Sequence, residues 1–211
     1  MAGKTRATMM EETRAKLIAA ARKSFADKGY AASSMDDLTA DAGLTRGALY
    51  HNFGDKKGLL AAVVAQIDAE MATRAREIAS GSTNRWDAMI AEGAAYIEMA
   101  LTPEVQRIVL LDGPAVLGDP SHWPSQSACL EETRKGLTQL ANEGILRPVD
   151  IEAAARLLNG AALNAALWVA ASPEPEAVLP KAVEAFKCLA AGFLAHPSAS
   201  LATEDQPLGG A

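Results

Sequence analysis

Three observations predict an all-α fold. Alanine, the strongest helix former, fills 45 of the 211 positions. Aromatic residues make up only 5% and runs of Val and Ile are scarce, which leaves little from which to build a sheet. Apolar residues then recur at helical spacing in one segment after another, about nine in all. At 49% hydrophobic and 22% charged, the chain has enough apolar surface for the core of one or two small domains, as expected of an ordinary soluble globular protein.

The first helix is expected over 10–28, with Leu17, Ala21 and Phe25 on one face and Ile18 beside them, and Gly29 ending it. Ser34 can cap a second, short helix over 35–42, with Asp37 three residues on and Asp36 favourable in the first turn. Gly43 stops it, and Thr45 caps a third over 46–51. Asp55 caps a long fourth helix, to about residue 80, in which Leu59, Leu60, Val63, Val64, Ile67 and Met71 repeat at helical spacing. A fifth pattern covers 86–101, and Pro103, suited to a first turn, opens a sixth to about 112. Residues 113–126 contain Pro114, Gly118, Pro120 and Pro124 and read as the one substantial internal loop. The seventh helix runs over 127–142. Asp150 caps the eighth, whose residues 157–171 carry no charge; that run is short of the ~18 residues a membrane span requires, so a helix buried on nearly all sides is expected. A proline turn at 173–175 precedes the ninth, over 176–194, and residues 196–211 read as a disordered tail.

The N-terminal six residues are basic but lead into no apolar stretch, so neither secretion nor membrane insertion is expected. Two cysteines, Cys129 and Cys188, are too few for a disulfide scaffold, which makes a reducing cytoplasm the default; a redox role for them is the minor reading beside that of small buried hydrophobes. His51, His122 and His196 are scattered, no metal-ligand spacing occurs, and no cofactor motif is present. The net charge of −6 conceals an asymmetry. Residues 1–60 hold ten Lys or Arg against seven Asp or Glu, a net +3, and the remainder is at −9. A basic head on an acidic body suits a chain that touches a polyanion with one end only.

Two short helices separated by one turn have the lengths of a helix-turn-helix. Gly43 supplies the positive φ the turn needs, Leu38 and Leu49 face inward, and compact Thr39 sits where the helices approach. The second helix begins Thr45-Arg46-Gly47-Ala48, so its N-terminal face is small residues plus one Arg: the backbone can approach base edges, and Arg46 is one long donor for a guanine. Tyr50 and His51 lie a turn further on, at the distance of flanking phosphates. Lys56 opens the fourth helix, where helix dipole and ammonium act together on a phosphate. The bland alternative is a helical hairpin of some enzyme.

The stretch Gly29-Tyr30-Ala31-Ala32-Ser33-Ser34-Met35-Asp36-Asp37-Leu38, followed by Ala42-Gly43-Leu44-Thr45-Arg46-Gly47-Ala48-Leu49-Tyr50-His51-Asn52-Phe53-Gly54-Asp55-Lys56, closely resembles the DNA-binding domain of TetR-family transcriptional regulators. The resemblance covers roughly residues 10 to 65; the remainder is similar to the family only in plan. It implies a homodimeric regulator, usually a repressor, released from a palindromic double-stranded DNA operator by a small molecule. By position in the motif it implies phosphate contacts from Ser34, Thr45, Tyr50, His51 and Lys56, and base contacts from Arg46 and Gly47. Asp36 and Asp37 depart from what a DNA-facing surface wants and are assigned to helix capping.

A helix-turn-helix DNA-binding domain with a basic arm is thus expected at 1–56 and a helical ligand-binding and dimerisation domain at 57–195. Tyr96, Arg107, Asp112, Trp123, Asn159, Asn164 and Trp168, with loop residue His122, are the polar or amphipathic groups set among apolar patterns, the mixture a ligand pocket needs. The ordinary reading is that the two Asn bond helix backbones or a partner chain and that Trp168 is core. The apolar eighth and ninth helices predict a four-helix dimer interface, with Gly160, Ala161 and Ala165 allowing close approach. A small, largely apolar effector is expected between residues 86 and 168, coupled to the head through the fourth helix, the only continuous element that joins the two. A helical enzyme or small-molecule carrier with an incidental basic head is the competing class, and an architectural nucleic-acid protein a third.

Overall fold

The computed structural model describes residues 5–195. Its helices are α1 (Arg6–Lys28), α2 (Met35–Asp41), α3 (Arg46–Phe53), α4 (Lys56–Ala79) and α5 (Arg85–Glu98). A 3-10 turn at Met99–Leu101 leads to a π-helical segment, Val105–Asp112, which runs directly into α6 (Gly113–Leu117). A second 3-10 turn, Pro120–His122, precedes α7 (Pro124–Asn142), α8 (Ile151–Ala171) and α9 (Pro175–Ala191). Among the described residues the one extended pairing is a single antiparallel bridge, Leu146 with Leu194, which ties the α7–α8 connection to the chain after α9. The all-α expectation and the helix count both hold. The expected tail at 196–211 lies outside the described residues.

Helices in this chain start in two chemical ways. Thr5, Ser34, Thr45, Asp55, Asn84 and Asp150 each accept a hydrogen bond on the side chain from the backbone N–H three residues on, at 2.7–3.2 Å. Each such cap satisfies a donor that the helix itself cannot, for about 1 kcal/mol. The other starts are made by proline in the first turn, at Pro114, Pro120, Pro124 and Pro175. This corrects the expected loop at 113–126: three of its prolines open helical turns, because a ring that fixes φ and lacks an N–H costs nothing at a helix start. Only short connections around Gly118 and Trp123 remain irregular.

In the head, Leu17, Ala21 and Phe25 of α1, Leu38 of α2 and Leu49 of α3 close on Leu59, Leu60 and Val63 of α4, and all eight are fully buried. Thr39 is buried where α2 and α3 meet, its hydroxyl donating to the carbonyls of Met35 and Asp36. The turn rests on Gly43, at φ +65°, followed by Leu44 N–H donating to Thr39 O at 2.8 Å. In the body, Ile97, Ile108, Leu137, Leu140, Ala155, Ala166 and Val169 form the deepest layer between α5, α7 and α8. α8 departs from the expectation of all-round burial. Leu157 is 63% exposed and Trp168 52%, with Gly160 and Asn164 on the same outward stripe, because among the described residues no element covers that side of α8.

α4 is the continuous element between head and body, and side-chain contacts add to it. Arg22 of α1 makes paired hydrogen bonds to Glu70 of α4, both 2.7 Å, and to Glu104, 2.5 and 2.7 Å. Asp112 accepts from the Tyr30 N–H at 2.7 Å, and Arg107 donates to the carbonyl of Lys28 at 3.2 Å. The π-helical segment therefore grips the end of α1 directly.

Close contact between α3 and α4 depends on Gly58, where a Cβ would overlap the backbone carbonyl of Phe53. Gly58→Ala is expected to lower stability by about 1–3 kcal/mol, because a backbone atom cannot step aside as a side-chain end would. Urea denaturation followed by circular dichroism measures this.

Candidate nucleic-acid interface and the body interior

The caps that start α2 and α3 also set out the outer surface of the head. Ser34, Thr45, Arg46, Gly47, Tyr50 and His51 are all exposed, and Leu38 and Leu49 hold the two helices so that this set is presented outward. Gly47 is informative because the fold does not require it. A Cβ there would meet only the Thr45 hydroxyl, at 3.7 Å, an ordinary contact. A glycine in a helix costs up to about 1 kcal/mol relative to alanine, less in the first turn where Gly47 sits, so bare backbone at this point is a surface property rather than a packing one.

The structure adds partners that spacing alone does not reveal. Arg46 folds back onto Asp36 of α2, Nε to Oδ1 2.7 Å, with both side chains more than half exposed. Asp36 is thus a partner of Arg46, and capping falls to Ser34. The Lys56 ammonium lies over the Tyr30 ring, 4.2 Å from its centroid, and its partial burial pulls its pKa down. Lys57, which sequence reasoning passed over, is the more exposed of the two. Arg14 of α1 covers the Phe53 ring at 4.6 Å and donates to the Asn52 carbonyl, which fixes the far end of α3.

Of the residues expected around a ligand, the structure gathers Tyr96 and Asn159 on the seam where α4, α5, α7 and α8 meet, with Trp123 buried at the start of α7. Arg107 and Asp112 sit elsewhere, at the joint with the head; their partners are some eighty residues earlier in the chain. Asn164 and Trp168 point outward from α8, and His122 is exposed. The seam holds one residue that sequence reasoning missed, Asp68. It lies in the apolar stripe of α4, between Val64 and Met71, and is 6% exposed. A carboxylate at a core position of an otherwise apolar helix face was the available signal.

Asp68 Oδ2 accepts from the Ser125 hydroxyl at 2.5 Å, whereas Oδ1 has no partner. Burial holds its carboxyl above the usual range, with the Ser125 bond acting the other way. Burial likewise raises the Tyr96 phenol, helped by the charge of Asp68, and the Tyr96 hydroxyl faces Gln126 Nε2 at 3.5 Å. Thr133 donates to Asn159 Oδ1 at 2.8 Å, leaving Asn159 Nδ2 buried and unpartnered, as is Trp123 Nε1. Among the described residues no His, Cys, Asp and Glu grouping could hold a metal ion. None of the described helices is long and apolar enough to cross a membrane.

Two family models match the chain, one in each half. Residues 17–63 match the family model for bacterial regulatory proteins of the tetR family, and residues 86–193 match that for the tetracyclin repressor-like C-terminal domain. The chain is 29% identical to the transposon Tn10 TetC protein of Escherichia coli over 153 residues, 68% of this chain and 73% of that protein. It is 27% identical to the HTH-type transcriptional repressor AcnR of Corynebacterium glutamicum over 143 residues, 66% of this chain and 73% of that one. The crystal structure of a TetR-family transcriptional regulator from Pectobacterium atrosepticum superposes with a TM-score of 0.83 at 50% identity, covering 92% of this chain and all of the other. Head and body are therefore each assigned, and the chain belongs to the TetR family of DNA-binding transcriptional regulators.

Proposed function

We propose that the protein is a homodimeric repressor that reads a palindromic operator with α3 and leaves it when a small, largely apolar molecule enters the body. The observation that carries the DNA half is the exposed N-terminal face of α3, where Gly47 is glycine without a packing reason beside a single long donor, Arg46. Arg46 and Gly47 are assigned to bases. Ser34, Thr45, Tyr50, His51 and Lys56 are assigned to phosphates on either side, with residues 1–56 as the reading domain and 57–195 as the effector and dimer domain. Repression is the sense named for AcnR, and the cytoplasm, where the DNA is, is the place of action.

Dimerisation is supported by the outward faces of α8 and α9. Leu157, Gly160 and Ala161 of α8 line an open groove of about 520 Å³ with Leu189 of α9 and Phe193 beyond it. Trp168 extends the same α8 stripe. Exposed apolar side chains in a continuous patch flanked by small residues suit a two-fold pairing of helix faces, α8 and α9 against their copies.

Replacing Arg46 by Ala is expected to cost about 1–3 kcal/mol of operator affinity and to relax base preference at one position. Lys56→Ala should instead weaken all sequences alike and lower the salt slope by about one. Fluorescence anisotropy on DNA from upstream of its own gene, across a salt series, separates the two; equal and purely non-specific losses would show Arg46 to be wrongly assigned. Gly47→Ala should leave the fold as stable or stabilise it by up to about 1 kcal/mol while weakening operator binding, a split that denaturation and anisotropy read together.

Leu157→Glu combined with Leu189→Glu should convert the dimer to a monomer in sedimentation at micromolar concentration, with helix content retained. A wild-type protein already monomeric under those conditions would remove the dimer proposal.

A further inference from the structure

Resting on the reading of the body as an effector domain, we propose that the effector is a small lipophilic organic cation whose ammonium or amine group is received by Asp68 in the seam between α4, α5, α7 and α8. The buried, unpaired Asp68 Oδ1 carries the proposal. Its twin oxygen takes the Ser125 hydroxyl, and among the described residues no Lys, Arg or His pairs with the carboxylate. A buried carboxylate without a counter-charge is costly, which is why its pKa is raised here, and a cationic guest beside Oδ1 would hold the group in its charged form.

The surroundings are built for a guest with a polar end. α7 turns Ser125 and Thr133, eight residues apart, toward the seam: Ser125 bonds Asp68 and Thr133 bonds Asn159. The fully buried apolar residues of α7 come further along, at Leu137 and Leu140, with Leu130 partly buried before them. One more buried polar atom of the seam lacks a partner, the donor Asn159 Nδ2; Trp123 Nε1 is likewise unpartnered, on a ring that packs against Gly113 of α6. The unmet set in the seam is thus one acceptor and one donor. An ammonium with a hydroxyl or ether oxygen further along matches both, with the Tyr96 ring available to its apolar part. An anion would meet the Asp68 carboxylate with no Lys, Arg or His paired to it among the described residues, and a hydrocarbon would leave both atoms as they are.

The test uses the full-length protein and three probes of one shape and different charge: 2-phenylethylammonium, neutral 2-phenylethanol and anionic phenylacetate. Calorimetric titration at millimolar probe is expected to show the cation binding about tenfold or more tightly than the alcohol and the anion not at all. In Asp68→Asn, which keeps an acceptor for Ser125 but removes the charge, that preference should vanish. Equal binding of cation and alcohol, no binding by any probe, or a cation preference that survives in Asp68→Asn would each overturn the proposal. The wild-type series stands even if the variant fails to fold. Anisotropy with operator DNA separates the two levels of inference. If the cation binds through Asp68 but leaves DNA affinity unchanged, the site is upheld and the effector reading falls. If phenylacetate releases DNA from wild type and Asp68→Asn alike, the effector reading stands and the Asp68 proposal falls.

Discussion

The geometry of the molecule depends on the grip of Arg22. One guanidinium on α1 holds two carboxylates at once, Glu70 on α4 and Glu104 at the threshold of the π-helical segment. The two acids hold its pKa well above the usual arginine value. A planar fork filled on both edges has one arrangement in which all its bonds are made, so it fixes an angle between head and body as well as a contact. Asp112 on the Tyr30 N–H and Arg107 on the Lys28 carbonyl repeat the logic one turn further along. An apolar joint would let the head slide in small steps; this polar one is made or broken. Allosteric coupling of the usual size, about 1–3 kcal/mol, corresponds to one or two such charge-assisted bonds, so no large rearrangement of the core is needed to transmit an effector's presence.

The pairing of Arg46 with Asp36 looks at first like a contradiction in a surface meant for DNA. Magnitudes resolve it. An ion pair with both partners more than half exposed is worth about 0–1 kcal/mol, whereas a bidentate Arg–guanine contact discriminates by about 1–3 kcal/mol, so on the proposed assignment of Arg46 to a base an operator of the right sequence would withdraw it from Asp36 readily. A sequence without a well-placed guanine gains less from breaking the pair, and it also meets the Asp36 charge beside its phosphates. An acid placed here thus penalises wrong sequences more than right ones, a device that raises specificity at some expense of affinity.

Local chemistry was legible in the sequence and distant partnership was not. Ser34, Thr45, Asp55 and Asp150 announced their helices because a cap needs only the three residues after it. The prolines between 113 and 126 were misread as loop formers because a proline that stops one helix and a proline that starts the next are the same residue; only the position of the following turn tells them apart. Arg107 and Asp112 were grouped with the interior because they are polar residues in an apolar pattern, yet what they touch lies at Lys28 and Tyr30, beyond any periodicity. Asp68 stands at a core position of α4, but its partner Ser125 lies 57 residues further on, so no spacing in the sequence marks the seam they share.

α8 shows how the two demands on the body are divided. A helix of a monomer turns its apolar side in and its polar side out, but here Asn159 is turned into the seam while Leu157 and Trp168 face outward. The inward polar atoms leave the seam less tightly committed than an all-apolar core, since each unpartnered group lowers the cost of letting a guest in. The outward apolar stripe adds nothing to a lone chain, and in the proposed dimer it gains its value against a second copy. On that reading much of the stability would reside at the subunit interface, which holds two reading helices about 34–36 Å apart, and little would be invested in the seam, where the proposed guest enters. A body built the other way round, with a dry core and a wet interface, would be the more stable monomer and the poorer switch.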